Sequence, residues 1–139
     1  MMNDAEAITP KAAMPASLPA EPAQRTVYSY GVRVGNTLHI SGMVAFDADG
    51  SVVGEGDIET QTEQVFANLR SVVEEAGGTM ADIACTTTYL ADVASAPVVN
   101  AARARHFTGP VKPTHTVVGV AALARPQFLV EISAVAYLS

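Results

Sequence analysis

The sequence predicts an α+β domain with the element order β-β-α-β-α-β-β. Three observations predict it. One long segment carries apolar residues at helical spacing. Several short β-branched segments alternate or run apolar for strand lengths. Gly and Pro breaks separate them cleanly. With 139 residues, one domain is expected.

Residues 1–24 contain Pro10, Pro15, Pro19 and Pro22 among Ala, Glu and Ser. They show no sustained periodicity and are expected to form a flexible tail ahead of a folded domain over 25–139. Residues 26–34 extend as a strand, Gly35-Asn36 makes a turn, and residues 37–44 return as the second arm of a hairpin. Asp47-Ala48-Asp49-Gly50 reads as a polar turn; it lacks the ligand spacing and final Glu of a calcium loop. Residues 57–76 form the clearest helix. Thr60-Gln61-Thr62-Glu63 has the form of a capping box, Val65, Leu69, Val72 and Ala76 make the apolar stripe, and Gly77-Gly78 stops it. Residues 83–90 are a threonine-rich strand. Asp92 or Ser95 caps a second helix that tolerates Pro97 in its first turn and runs to about residue 107. After Gly109-Pro110 and Pro113, residues 114–121 form a strand, Arg125-Pro126 a turn, and residues 128–138 the last strand. Two helices then cover one face of the sheet. The other face is expected to be apolar and to be buried against further copies of the chain.

Composition narrows the function. Charged residues make up only 16% of the chain, below the ~25% of an ordinary soluble domain, which also favours an oligomer. The net charge of −6, with scattered Lys and Arg, argues against a nucleic-acid partner. No apolar run approaches the ~18 residues of a membrane span. The N-terminus has no apolar signal core, so a cytoplasmic location is expected. Cys85 is the only cysteine and reads as a small buried residue in a strand. His39, His106 and His115 lack paired ligand spacing, and no phosphate loop occurs, so neither metal nor cofactor is expected.

Two residues stand out chemically. Glu131 interrupts the apolar run Phe128-Leu129-Val130-Ile132, where a carboxylate needs partners or water. It reads either as an edge residue or as a general base tuned by partial burial. His115 opens a strand just after the Pro113 break, within Pro113-Thr114-His115-Thr116. It reads either as a structural hydrogen-bonding group or as an acid/base or substrate ligand.

The chain resembles the Rid (YjgF-like) family of reactive-intermediate deaminases. The resemblance spans residues 25–136. It rests on Tyr28-Ser29-Tyr30-Gly31, Ile40-Ser41-Gly42, Gly56-Asp57-Ile58-Glu59-Thr60-Gln61 and Val65-Phe66-Ala67-Asn68-Leu69. It continues through Ala76-Gly77, Thr86-Thr87-Thr88-Tyr89-Leu90-Ala91-Asp92, Val99-Asn100, Phe107, Pro113 and Val130-Glu131-Ile132. The resemblance implies a chorismate-mutase-like fold, a homotrimeric barrel with helices outside, and small-molecule clefts between subunits. It implies hydrolysis of enamines and imines to a carbonyl product and ammonia. Glu131 then matches the carboxylate that positions or activates water, Tyr28 the cleft tyrosine, and Ser41 and Asn100 positions near the cleft. Thr116, next to His115, and Met43 are expected to contact the substrate as well. Two positions depart from the pattern. His115 stands where active members carry an arginine that grips the substrate carboxylate, a contact that imidazole geometry does not reproduce. Met43 stands where the family usually has Gln. An imine hydrolase of altered specificity is therefore expected, with a non-catalytic metabolite-binding trimer as the alternative.

Overall fold

A computed structural model describes residues 9–20 and 27–139. Among these residues six strands are present: β1 (Lys11–Ala13), β2 (Gly31–Val34), β3 (Thr37–Met43), β4 (Ile83–Leu90), β5 (Thr114–Gly119) and β6 (Val130–Tyr137). Among the described residues two helices, α1 (Ile58–Glu75) and α2 (Ala96–His106), complete the α+β fold. The strands form one sheet in the order β1-β2-β3-β6-β4-β5. Every neighbouring pair is antiparallel except β4 and β5, which run parallel because α2 carries the chain across between them.

Period-two alternation sets the core. Along β6, Val130, Ile132, Ala134 and Ala136 are buried. They share the face on which α1 packs across β3 and β6. Leu38 and Ile40 of β3 and Leu90 of β4 fill the same layer, against Val65, Phe66, Leu69, Val72 and Val73 of α1. Asp57 caps α1 by accepting from the Thr60 backbone N–H at 3.2 Å and its hydroxyl at 2.7 Å, one turn earlier than the expected box. Gly77 ends it at φ 92°, a conformation a glycine adopts freely. Asp92 caps only a short 3-10 turn over Val93–Ser95; Ser95, at the start of α2, makes no side-chain capping bond.

Three expectations change. The tail reading fails over 11–13, where the chain adds an edge strand to β2 and buries Ala13; Leu18 beyond it is also buried. The rest of that reading over 1–8 and 21–24 lies outside the described residues, as does residue 26. The first strand, expected over 26–34, begins only at Gly31, because residues 27–30 run as bends and irregular backbone rather than pairing along the sheet. The uncovered sheet face is also less apolar than expected. Alternation sends Ile132, Ala134 and Ala136 to the helices. Cross-strand register then leaves Glu131, Ser133 and Val135 beside Tyr89, Thr87 and Cys85 on the other side.

Candidate functional site

The open face of the sheet meets two loops at the start of β6. Between Ile40 and Met43 the β3–β6 register shifts, and the chain bulges at Ser41-Gly42. The Ser41 backbone N–H donates to Tyr30 O at 2.8 Å and its hydroxyl to Ser29 O at 2.6 Å, which ties the bulge to the segment carrying Tyr28. A cleft of about 590 Å³ opens here, lined by Tyr28, Ser41, Gly42, Phe128, Arg125 and Glu131 among others.

Glu131 lies directly over Gly42. A Cβ at position 42 would stand 2.5 Å from Glu131 Oε2, so only glycine leaves the carboxylate this place. Glu131 has no salt-bridge partner among the described residues, and burial raises its pKa above the ordinary carboxylate value. Tyr28 packs edge-on against Tyr30 with ring centroids 6.0 Å apart. Burial raises its phenol pKa, nearby Glu131 raises it further, and Arg125 opposes both. The phenol therefore feels both charges of the cleft.

A buried amide fixes the far wall. Gln61 donates to Gly54 O at 3.1 Å and Gln127 O at 2.7 Å, and accepts from the Leu129 N–H at 2.9 Å. This one side chain clamps the loop before α1 and the loop before β6 onto the helix. Asn68 works likewise on the segment after β3, donating to Val44 O at 2.9 Å and Phe46 O at 3.0 Å.

The other expected site residues are elsewhere in the chain. Glu131 is paired with Tyr89, and Tyr89 with Val118, so these three share the open face. His115 is paired with Thr86, which is buried on the helix side. His115 thus points to the opposite face. Two strand spacings and three residues along the strand separate the two backbones by ~14 Å. His115 sits instead near Arg103, which donates to the Thr86 hydroxyl at 2.7 Å. Burial first, then Arg103, holds its pKa below the ordinary histidine value, which favours neutral imidazole. Thr116 is on the open face of edge strand β5. Asn100 is exposed on α2. Met43 is buried in the core, 1% exposed and opposite Ile132, and does not line the cleft. Within one chain, the cleft therefore unites Tyr28, Ser41 and Glu131 but not His115, Thr116, Asn100 or Met43.

Sequence reasoning passed over two cleft residues. Arg125 read only as half of a turn, and Gly42 only as part of a motif. The signal for Gly42 was an in-strand acid that needed room on the neighbouring strand. Among the described residues no cluster of three His, Cys, Asp or Glu is placed to hold a metal ion, and no helix is long and apolar enough to cross a membrane.

Residues 18–138 match the family model described as endoribonuclease L-PSP. The chain belongs to this family, the Rid (YjgF-like) proteins. A RutC family protein of Pyrococcus horikoshii is 36% identical over 110 residues, covering 79% of this chain and 86% of that one. The crystal structure of a Rid family protein of unknown function from Yersinia pestis is 30% identical, with a TM-score of 0.85 over 94% of this chain and all of that one. The Escherichia coli YjgF gene product is 30% identical, with a TM-score of 0.81 over 91% of this chain and 98% of that one. Rid membership brings with it, at family level, a role in imine or enamine deamination or in small-molecule binding.

Proposed function

We propose that this Rid protein hydrolyses a small enamine or imine to a carbonyl compound and ammonia, in the cytoplasm, with Glu131 as the group that handles the proton of the attacking water. The observation that carries this reading is the carboxylate itself. It is half-buried, lacks a countercharge among the described residues, and is seated over a glycine on the wall of a substrate-sized cleft. A raised carboxylate pKa moves a base closer to neutral pH, where proton transfer in both directions is efficient.

The chemistry balances without a cofactor. An enamine first takes a proton at carbon and gives one up from nitrogen, becoming the imine. Water adds to the imine carbon; the new C–O bond forms as the π pair moves to nitrogen. Glu131 accepts a water proton and returns it to that nitrogen. The hydroxyl proton of the resulting carbinolamine then passes by way of Glu131 to the same nitrogen, the C–N bond breaks, ammonia leaves, and the oxygen electron pair closes the carbonyl. Tyr28 packs on the substrate and Ser41 fixes the bulge beneath it.

Subunit association completes the site in this reading. β5 is an edge strand that presents Thr114, His115 and Thr116 as exposed residues. Such an edge needs covering. In a homotrimer, His115 and Thr116 of one subunit border the cleft of the next, with Asn100 near it. His115, neutral there, offers a hydrogen bond or moves a proton. Met43 acts only through the core beneath the bulge.

The ~14 Å between His115 and Glu131 within one chain favours a second reading, a non-catalytic binding trimer. The family model's description also names an endoribonuclease. The net charge of −6, with Arg125 the one cation lining the cleft among the described residues, favours a small molecule over RNA. Ammonia release from a panel of freshly generated imines, compared between the wild type and Glu131→Gln, separates the readings. Catalysed release that falls by about 100-fold or more in the variant supports the hydrolase. Ligand binding with no turnover across the panel supports the binding protein.

A further inference from the structure

Among the described residues the cleft is lined by one cation, Arg125, and no carboxylate pairs with it. Arg125 is half-buried on the loop before β6, on the cleft wall that it shares with Phe128. Its guanidinium carbon stands 5.5 Å from the centroid of the Phe128 ring, a cation–π placement that holds the group without neutralising it. It makes one long hydrogen bond, from Nη1 to Gly50 O at 3.4 Å. A guanidinium carries five N–H donors in a planar fork. Among the described residues no carboxylate pairs with it.

Its backbone is held as firmly as its ring contact. Pro126 disfavours the helical conformation at Arg125. The Phe128 N–H closes a turn onto Arg125 O at 3.1 Å, and Gln61 grips both Gln127 O and Leu129 N just beyond. A fixed, unpaired guanidinium facing a cavity is preorganised for a planar anion. The acids that also line the cleft are Asp49, on the turn whose Gly50 carbonyl meets Arg125, and Glu131, over Gly42. Tyr28, which also lines the cleft, feels the charges of both Glu131 and Arg125.

We infer that Arg125 is the specificity-determining residue of this cleft and grips a carboxylate of the bound molecule, leaving its carbonyl or imine carbon toward Glu131. The placement of the reacting carbon rests on the hydrolase reading; the anion contact does not. Arg125 supplies the anion contact from within the chain that carries Glu131, at a residue of the loop before β6, rather than from the His115 position of β5.

The test uses 2-oxobutyrate as the probe and 2-oxobutanamide, which has the same shape without the charge. Binding is measured by calorimetry or NMR titration on the intact protein, the wild type beside Arg125→Gln, Arg125→Lys and His115→Gln. The inference predicts that Arg125→Gln weakens 2-oxobutyrate about 10- to 100-fold, the range of a lost charge-assisted hydrogen bond. Arg125→Lys recovers part of that loss, and the amide binds both proteins equally weakly. His115→Gln leaves a larger share of 2-oxobutyrate affinity than Arg125→Gln. Equal 2-oxobutyrate affinity in wild type and Arg125→Gln overturns the inference, as does failure of the wild type to prefer the acid over the amide. Acid-selective binding through Arg125 without turnover of the corresponding imine keeps the inference and removes the hydrolase reading. Turnover that is indifferent to Arg125→Gln does the reverse.

Discussion

Replacing Gly42 with alanine acts on the carboxylate without touching it chemically. The added methyl carbon would stand 2.5 Å from Glu131 Oε2, 2.7 Å from Cδ and 2.9 Å from Cγ. An ordinary contact of this kind lies near 3.5 Å, so about 1 Å must be given up. The side chain of Glu131 yields more easily than two hydrogen-bonded strands, so the carboxylate swings away from its place. A misplacement of ~1 Å costs on the order of 100-fold in rate, equivalent to about 2.7 kcal/mol of transition-state stabilisation. The fold loses much less, about 1 kcal/mol or under, because no core group moves. Gly31→Ala is the matched control. Its Cβ would meet Val72 Cγ1 at 2.7 Å inside the core. Overpacking of that kind costs about 1–3 kcal/mol and leaves the cleft alone. Thermal unfolding and ammonia-release kinetics on the two variants should therefore give crossed results. Gly42→Ala keeps its melting temperature to within about 5 °C and loses kcat. Gly31→Ala loses melting temperature and keeps kcat. Full activity in Gly42→Ala would refute the claim that the seat of Glu131 matters.

Three further outcomes follow from the same geometry. Glu131 has a raised pKa in the folded chain, so its burial favours folding below its unfolded pKa, and that contribution is lost as pH rises through the folded value. Glu131→Gln should accordingly melt higher than the wild type at pH 7, with the gap closing towards pH 4 in calorimetry; a gap that widens in acid contradicts the burial. Gln61→Leu strips partners from two carbonyls and one N–H, and at about 1 kcal/mol for each should cost roughly 3 kcal/mol in urea unfolding. A loss below 1 kcal/mol would show that water takes over the clamp. If His115 and Glu131 of different chains share a site, co-expressing Glu131→Gln with an inactive His115→Ala should restore activity, since some interfaces then pair two unmodified residues. No recovery in mixed oligomers would place the two residues in separate functions.

Most of the fold was legible because its strands carry strong local patterns. The strand expected over 83–90 is β4 (Ile83–Leu90) residue for residue, and the stripe of Val65, Leu69 and Val72 is the buried side of α1. β1 was not legible. Pro10 and Pro15 bracket it, and its three residues gain strand form only by pairing with β2. The site was half legible. Glu131 declares itself as an acid in an apolar run. That His115 faces away from it follows from strand register across three strands, which no local pattern records. Arg125 stayed hidden because an Arg-Pro pair reads as a turn, and only the folded loop brings it to the wall that Glu131 shares.

The central claim is that Glu131 drives hydrolysis in this cleft. The most direct measurement is the rate of ammonia release from a 2-imino acid generated in solution, with the spontaneous rate subtracted, for the wild type and Glu131→Gln at neutral pH. The account predicts a catalysed rate in the wild type and a fall of about 100-fold or more in the variant, with 2-oxobutyrate still bound. A Glu131→Gln protein that releases ammonia as fast as the wild type would contradict it.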